Sequence, residues 1–250
     1  MQLAQLAGVN VCTTELLPLS SIASNLPFTL RDDARKFLLV HRFDRGQPTV
    51  NKRKHTEDFA QVFNLEPEDK YKGNYAAICV VLQEKSIHGN QDVHELLRRI
   101  IVNEMLGNYD AHAKNYSLLY ETPNEVALSP AYDIVAYAAY MSGSGHGLNF
   151  FPDQEKRTNL TPAVLRSLAN VLLVSEKILS KTLKETVASA VLLWPKAIRR
   201  SDLTRAQKRK LLEHFKINSS VIAARNRNKK IRSRARSQAR NVRGRTTATL

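Results

Sequence analysis

A chain of 250 residues with 43% apolar side chains is long enough for one large domain or two small ones, and can bury a sizeable core. Its formal charge is +15, yet eleven cations, Lys216 and ten between Arg225 and Arg245, lie beyond the last acidic residue, Glu213, so a mildly basic body carries a strongly basic tail. No apolar run is long enough for a membrane span, Met1 to Val9 lacks the positive charge of a secretory leader, and Cys12 and Cys79 have no Cys or His at metal spacing; these features argue against a membrane protein, a disulfide framework and a zinc site, and a cytoplasmic protein is expected.

Met1-Gln-Leu-Ala-Gln-Leu-Ala-Gly8 reads as the last turns of a helix closed by glycine. Phe37 to Phe43 suits a strand, ended by the turn residues Asp44-Arg-Gly-Gln-Pro48. Thr56-Glu-Asp-Phe predicts a helix start with Thr56 as its cap. A second helix is expected from Tyr75 to Gln83. A third runs from Asp92 to Leu106, where Val93, Leu96, Leu97, Ile100, Ile101 and Met105 recur on one face. Gly107-Asn108 stops it, and Tyr116 to Tyr120 with Glu125 to Leu128 resembles a small hairpin. Asp133 is placed to cap a helix at Ile134 to Tyr140. Ser142-Gly-Ser-Gly-His-Gly147 lacks the preceding strand and following Lys-Ser/Thr of a phosphate loop, and reads as a flexible surface loop. Thr161-Pro starts another helix, and further helices are expected from Ser175 to Leu193, ended by Trp194-Pro195, and from Asp202 to Phe215. Residues after about Asn226 hold hardly any large apolar group and are expected to be disordered when free.

The chemistry concentrates in Asn108-Tyr-Asp-Ala-His-Ala-Lys-Asn115, a tight loop between an amphipathic helix and a strand. Asp110 and Asn115 are five residues apart, and a further acid, Asp133, lies beyond the hairpin. Phosphoryl transfer needs an aligned acceptor hydroxyl and cations that offset phosphate charge; protein kinases meet this with Asp-x-x-x-x-Asn and a second Asp downstream. Oxygen ligands without Cys or paired His are those magnesium prefers. The spacing alone is weak, since Asp and Asn are common in turns and could merely cap this one.

The longer string Gly-Asn-x-Asp-Ala-His-Ala-Lys-Asn-x-Ser followed by Leu-x-Pro-x-Tyr-Asp, from Gly107 to Asp133, is far more specific. It resembles the HipA family of bacterial serine/threonine kinases, the toxins of HipBA-type toxin–antitoxin pairs. Arg42-Phe-Asp-Arg45, His55-Thr-Glu-Asp-Phe-Ala-Gln61, Lys70-Tyr71 and the opening Met-x-Leu-Ala-x-x-Ala-Gly-Val also resemble family segments, so the likeness covers roughly Met1 to Ala224. The resemblance implies Asp110 as catalytic base and Asn115 and Asp133 as Mg2+ ligands. It implies His41, Arg42 and Phe43 at the adenine-facing hinge, through backbone groups, and His112 and Lys114 at the phosphate end of an ATP site. A lone His or Lys is more often packed or solvated, so those two assignments rest on the family string. The implied substrate is a protein hydroxyl, for which family members use components of translation, and the implied partner is a HipB-like antitoxin.

The resemblance also implies a preceding small lobe with a phosphate-covering loop and a nucleotide lysine, and no such string precedes Arg42. A truncated product, one half of a split kinase completed by a separate small-lobe protein, and a non-catalytic remnant that binds an antitoxin or DNA are all consistent with that. The ten cations from Arg225 to Arg245 could contact nucleic-acid phosphates, without aromatic residues for base stacking, or form a solvated tail. The expected fold is α+β, mainly α, a protein-kinase-like large lobe of HipA type with a few short strands. Its expected parts are residues 1–45 as the remnant of a small lobe and hinge, 46–224 as the kinase lobe, and 225–250 as the basic tail.

Overall fold

The computed structural model describes residues 1–28, 36–46, 53–143, 145–152, 154, 158–230 and 233. Helices dominate: α1 (Gln2–Leu6), α2 (Phe59–Val62), α3 (Tyr75–Lys85), α4 (Asn90–Leu106), α5 (Pro162–Val171), α6 (Glu176–Arg200) and α7 (Arg205–Ile217), with a further helical run over 219–230. The strands β1 (Thr14–Pro18) and β2 (Lys36–Val40) form an antiparallel ribbon, and β3 (His55–Asp58), β4 (Ser117–Thr122) and β5 (Glu125–Leu128) form an antiparallel sheet in that order. The architecture is α+β and mainly helical, as the sequence pattern indicates.

The apolar periodicity of α4 makes it the axis of the core, packed against α3, α6 and α7. Burial extends beyond the single face read from the sequence: Arg99, Asn103 and Glu104 are buried with Leu96, Leu97, Ile100 and Ile101. Polar side chains inside a core must be hydrogen-bonded, and these are used to fasten other segments to the helix. Arg99 donates to the Ser129 carbonyl at 2.6 Å. The Glu104 carboxylate accepts from His146 Nε2 at 3.1 Å, the Leu160 N–H at 2.7 Å and Asn218 Nδ2 at 2.8 Å.

The first residues belong to the same core. Ala4, Ala7, Val9 and Cys12 are buried, and Gly8 closes α1 with φ of +88°, a region open to glycine at little cost. Asn10 and Cys12 then bridge to Ala131, through Ala131 N–H to Asn10 O at 2.8 Å and Cys12 N–H to Ala131 O at 2.9 Å.

Four local expectations give way to tertiary structure. Thr56 caps no helix: His55–Asp58 pairs with β4, and Asp58 caps α2 in a reciprocal bond pair with Gln61. The helix α6 does not end at Trp194-Pro195 but continues to Arg200. Proline removes one helical hydrogen bond, yet Trp194 and Ile198 on either side are fully buried, which offsets the loss. Residues 145–147 are not a free surface loop, since His146 is buried on Glu104 and a Cβ on Gly147 would lie 2.3 Å from the Ala111 carbonyl oxygen; Ser144 of that run lies outside the described residues. The tail begins in a helix, because residues 219–230 are helical and bury Val221 and Ala224; residues 231, 232 and 234–250 of the basic tail lie outside the described residues.

Trp194 joins three elements: its indole N–H donates to the Leu3 carbonyl at 2.8 Å, and its ring lies 5.0 Å from that of Phe215. Trp194→Ala is expected to lower the unfolding free energy by about 3–5 kcal/mol, read as a lower urea midpoint at unchanged m-value.

Candidate active site

The loop after α4 is shaped by the end of that helix. Gly107 takes φ of +61°, and a Cβ there would meet the Tyr109 hydroxyl at 2.8 Å and Ala138 at 2.9 Å, so only glycine turns the chain here without strain. Asn103, in the last turn of α4, holds both ends of the loop. Its Oδ1 accepts from Asn108 Nδ2 at 3.0 Å, and its Nδ2 donates to the Tyr116 hydroxyl at 3.1 Å. Between those anchors lie Asp110, His112 and Lys114, and Asn115 closes the 3-10 turn Ala113–Asn115.

Asp133 reaches the loop from the other side. Ala131 is pinned by the bridge to residues 10 and 12, and the Tyr132 hydroxyl donates to the Lys114 carbonyl at 2.9 Å. Asp133 itself adopts φ of +54°, so no helix starts from it; only Tyr137–Ala139 forms a 3-10 turn where a helix over Ile134 to Tyr140 was expected. That turn of the backbone brings Asp133 Oδ2 within 2.7 Å of Asn115 Nδ2. Asn115 Oδ1 meanwhile accepts the His112 N–H at 3.0 Å, which fixes which end of the amide faces Asp133.

Asp110 stands at the more open edge, its side chain 39% exposed. Tyr71 donates to its Oδ1 and Tyr137 to its Oδ2, the latter at 3.3 Å. Burial alone would push this carboxyl up, but the Tyr71 hydrogen bond, the His112 and Lys70 charges and the Tyr137 bond outweigh it and hold it below the ordinary value. His112, whose Nε2 lies 3.9 Å from Asp110 Oδ1, is held below the usual imidazole value by burial and then by Lys70, which favours the neutral ring. Burial, the Asp110 charge and the bond to it push the Tyr137 phenol up, so it stays a donor.

The sequence-selected residues divide into those that meet and those that do not. Asp110, His112, Asn115 and Asp133 share one loop junction. Phe43 joins them indirectly, stacked on Tyr132 at 5.8 Å. Arg42 is engaged with buried Asp44 at 2.8 and 2.6 Å, the His41 ring pairs with Glu15 at 2.7 Å, and the His41 backbone N–H donates to the Thr13 carbonyl at 2.9 Å. Lys114 is exposed. Tyr137 was not anticipated, and Tyr71 stood only inside a resembling segment with no role; no one-dimensional signal brings either phenol to Asp110.

Among the described residues no group of three or more His, Cys, Asp and Glu could hold a metal. Asp133 offers carboxylate oxygen of the kind a hard ion takes, whereas Asn115 turns its Nδ2 to Asp133 and its Oδ1 to the His112 N–H, so for both side chains to give oxygen to one ion the Asn115 amide must turn over.

A family model described as the HipA-like C-terminal domain matches residues 1–194. The chain is 36% identical over 195 residues to a Sinorhizobium fredii protein named as a kinase, Y4dM, a match that takes in 78% of this chain and 46% of that protein. It is 27% identical over 158 residues to the serine/threonine-protein kinase toxin HipA of Shewanella oneidensis, over 56% of this chain and 33% of that protein. In fold it is similar to a chain in the complex of Shewanella oneidensis HipA, HipB and operator DNA, with a TM-score of 0.66 at 20% identity, over 91% of this chain and 54% of that one. It is also similar in fold to the Helicobacter pylori proinflammatory kinase CtkA, with a TM-score of 0.50 at 14% identity, over 91% of this chain and 85% of that one. The chain thus spans about half the length, or less, of the curated relatives it matches.

The lowered Asp110 value has a consequence for stability. In the window between the folded value and the ordinary carboxylate value of about 3.9, the unfolded chain binds more protons, so Asp110 stabilises the fold above that window and the contribution is lost as pH falls through it. The stability difference between wild type and Asp110→Asn is therefore expected to be constant above about pH 5 and to shift against the wild type on further acidification, as measured by urea unfolding at a series of pH values.

Proposed function

The chain belongs to the HipA-like C-terminal domain family, and from that premise we propose that it is the base-and-metal half of an ATP-dependent serine/threonine protein kinase. The observation that carries this reading is the bond between Asn115 and Asp133 across two separate chain segments, with His112 beside it and within reach of the charges of both Asp110 and Asp133. In this reading an acceptor hydroxyl donates its proton to Asp110 as its oxygen bonds to the γ-phosphorus, and the bond to the bridging oxygen breaks to release ADP. Asn115 and Asp133 would hold Mg2+, which when bound offsets the charge on the phosphate oxygens. Neutral His112 and exposed Lys114 would face the phosphates. Phe43 would carry the hinge segment, with His41 and Arg42 contributing through backbone groups, toward the adenine.

A second lobe is needed to clamp the nucleotide, and two observations support its being supplied by additional polypeptide. The match takes in only 46% of the Sinorhizobium relative and 54% of the Shewanella chain, and the β1–β2 ribbon leading to His41 leaves the cross-strand partners Leu16 and Leu38 58% and 52% exposed. A two-stranded ribbon is marginal alone and gains from a covering surface. The part could come from the same gene product or from a separate small-lobe protein; a kinase remnant that only binds is the alternative. The substrate is proposed to be a serine or threonine of a protein, with translation components as the first to test, in the cytoplasm.

A HipB-like antitoxin and DNA are the proposed partners, by similarity to the Shewanella assembly and from the charge of the C-terminal segment. Arg227, Lys229 and Lys230 are exposed on the helical run 219–230. Such cations would bind phosphates through released counterions rather than by reading bases.

With Mg-ATP, and with any small protein encoded beside it, Asp110→Ala is expected to reduce phosphate transfer at least about 100-fold while leaving nucleotide binding in place. Failure of the wild type to bind nucleotide in either mixture would remove the kinase reading. Deleting residues 225–250 is expected to weaken duplex DNA binding and flatten its dependence on salt; equal affinity and slope in the deleted chain would take the tail out of the account.

A further inference from the structure

We infer that Tyr71 and Tyr137 form a two-phenol clip that sets the orientation of Asp110, each acting as a positioning residue for the base. The inference rests on the reading of Asp110 as that base. The two hydroxyls donate to opposite oxygens of one carboxylate, Tyr71 to Oδ1 and Tyr137 to Oδ2. A short side chain that is 39% exposed would otherwise turn freely about its last bond, whereas donors on both oxygens fix the plane of the carboxyl group. Each carboxylate oxygen can accept two hydrogen bonds, so the clip still leaves a lone pair on each for an acceptor hydroxyl.

The two phenols come from different parts of the fold, and each is seated by its own contacts. Tyr71 follows the 3-10 turn Pro67–Asp69 in the connection to α3; Lys70 Nζ lies 5.0 Å from the centre of its ring, and the ring meets His112 edge-on at 5.3 Å. The Ala113 N–H donates to the Lys70 carbonyl at 3.0 Å, which joins that connection to the Asp110 loop by its main chain. Tyr137 opens the 3-10 turn that follows Asp133, so the segment carrying the proposed metal ligand also carries half of the clip. The titratable groups facing Asp110 are Tyr71 and Lys70 from the first connection, His112 from its own loop and Tyr137 from the last. A hydroxyl donor on each oxygen favours the ionised form, the form able to take a proton.

Tyr71→Phe and Tyr137→Phe keep both rings and remove only the donors. In the full chain, carboxyl carbon NMR of labelled aspartate identifies Asp110 by its loss in Asp110→Asn and follows its titration; Mg-ATP hydrolysis, with water as acceptor, gives kcat and KM. The clip predicts that each Phe variant moves the Asp110 titration upward, lowers kcat about 10-fold at unchanged KM for ATP, and raises the acid limb of the pH–rate profile. The remaining aspartate resonances, if unmoved, show that the fold is intact. An unchanged Asp110 titration with unchanged kcat overturns the inference, and so does a rise in kcat, which would make the phenols competitors of the acceptor hydroxyl. If the titration moves but neither wild type nor variants turn over ATP, alone or with any small protein encoded beside the chain, the hydrogen-bond clip on Asp110 stands and the kinase reading fails for this chain.

Discussion

A carboxylate removed from water must have its oxygens satisfied by the protein, and Glu104 meets that demand at the C-terminal end of the buried helix α4. Three donors converge on it: His146 from the glycine-rich segment, the Leu160 N–H from the approach to α5, and Asn218 from the start of the last helical run. The Glu104 carbonyl accepts in addition from His214 on α7, and from the Gly107 N–H at the helix end. Segments from 42 to 114 residues away along the chain are thereby fastened to the point where the Asp110 loop begins. Breaking one partner of such a network leaves a buried charge exposed to a low-dielectric surrounding, which is why the arrangement is expected to hold as a unit.

The rigidity passes directly into the loop. Gly107 turns the chain, Asn103 ties Asn108 and Tyr116, and Gly147 presses on the Ala111 backbone from outside. Asp133 is held with similar firmness by the pairing of residues 10–12 with Ala131 and by Tyr132 on the Lys114 carbonyl. Two braced segments therefore meet at the Asn115–Asp133 bond, with Asp110 on the same loop as Asn115. In contrast, the β1–β2 ribbon beside the site carries exposed leucines and leads to His41 and Arg42, whose polar groups are turned to other partners. One wall of the site is braced by the core and the other is open.

Helix α6 and residues 145–147 show how tertiary demand overrides local signals. Proline at position 195 reads as a stop, but the burial of Trp194 and Ile198 carries the helix past it. A run of glycine and serine reads as a free loop, but His146 finds the buried Glu104 carboxylate and the glycines permit contact too close for any side chain. The helix expected after Asp133 gives way for a related reason: a positive φ at that residue is costly, and it is compensated by the bond between Asp133 and Asn115.

By itself the sequence determined the periodic elements and the chemical inventory. The spacing of apolar residues specified α4, Thr161-Pro specified the start of α5, and the string from Gly107 to Asp133 named the family and its acidic residues, because these features are local to the segments they shape. Only the tertiary structure decided that Tyr71 and Tyr137 close on Asp110, that Glu104 gathers the chain, and that α1 and the residues after it brace Asp133. Such contacts join positions far apart in the chain, and their partners are selected by burial and hydrogen-bond satisfaction, which no spacing rule encodes.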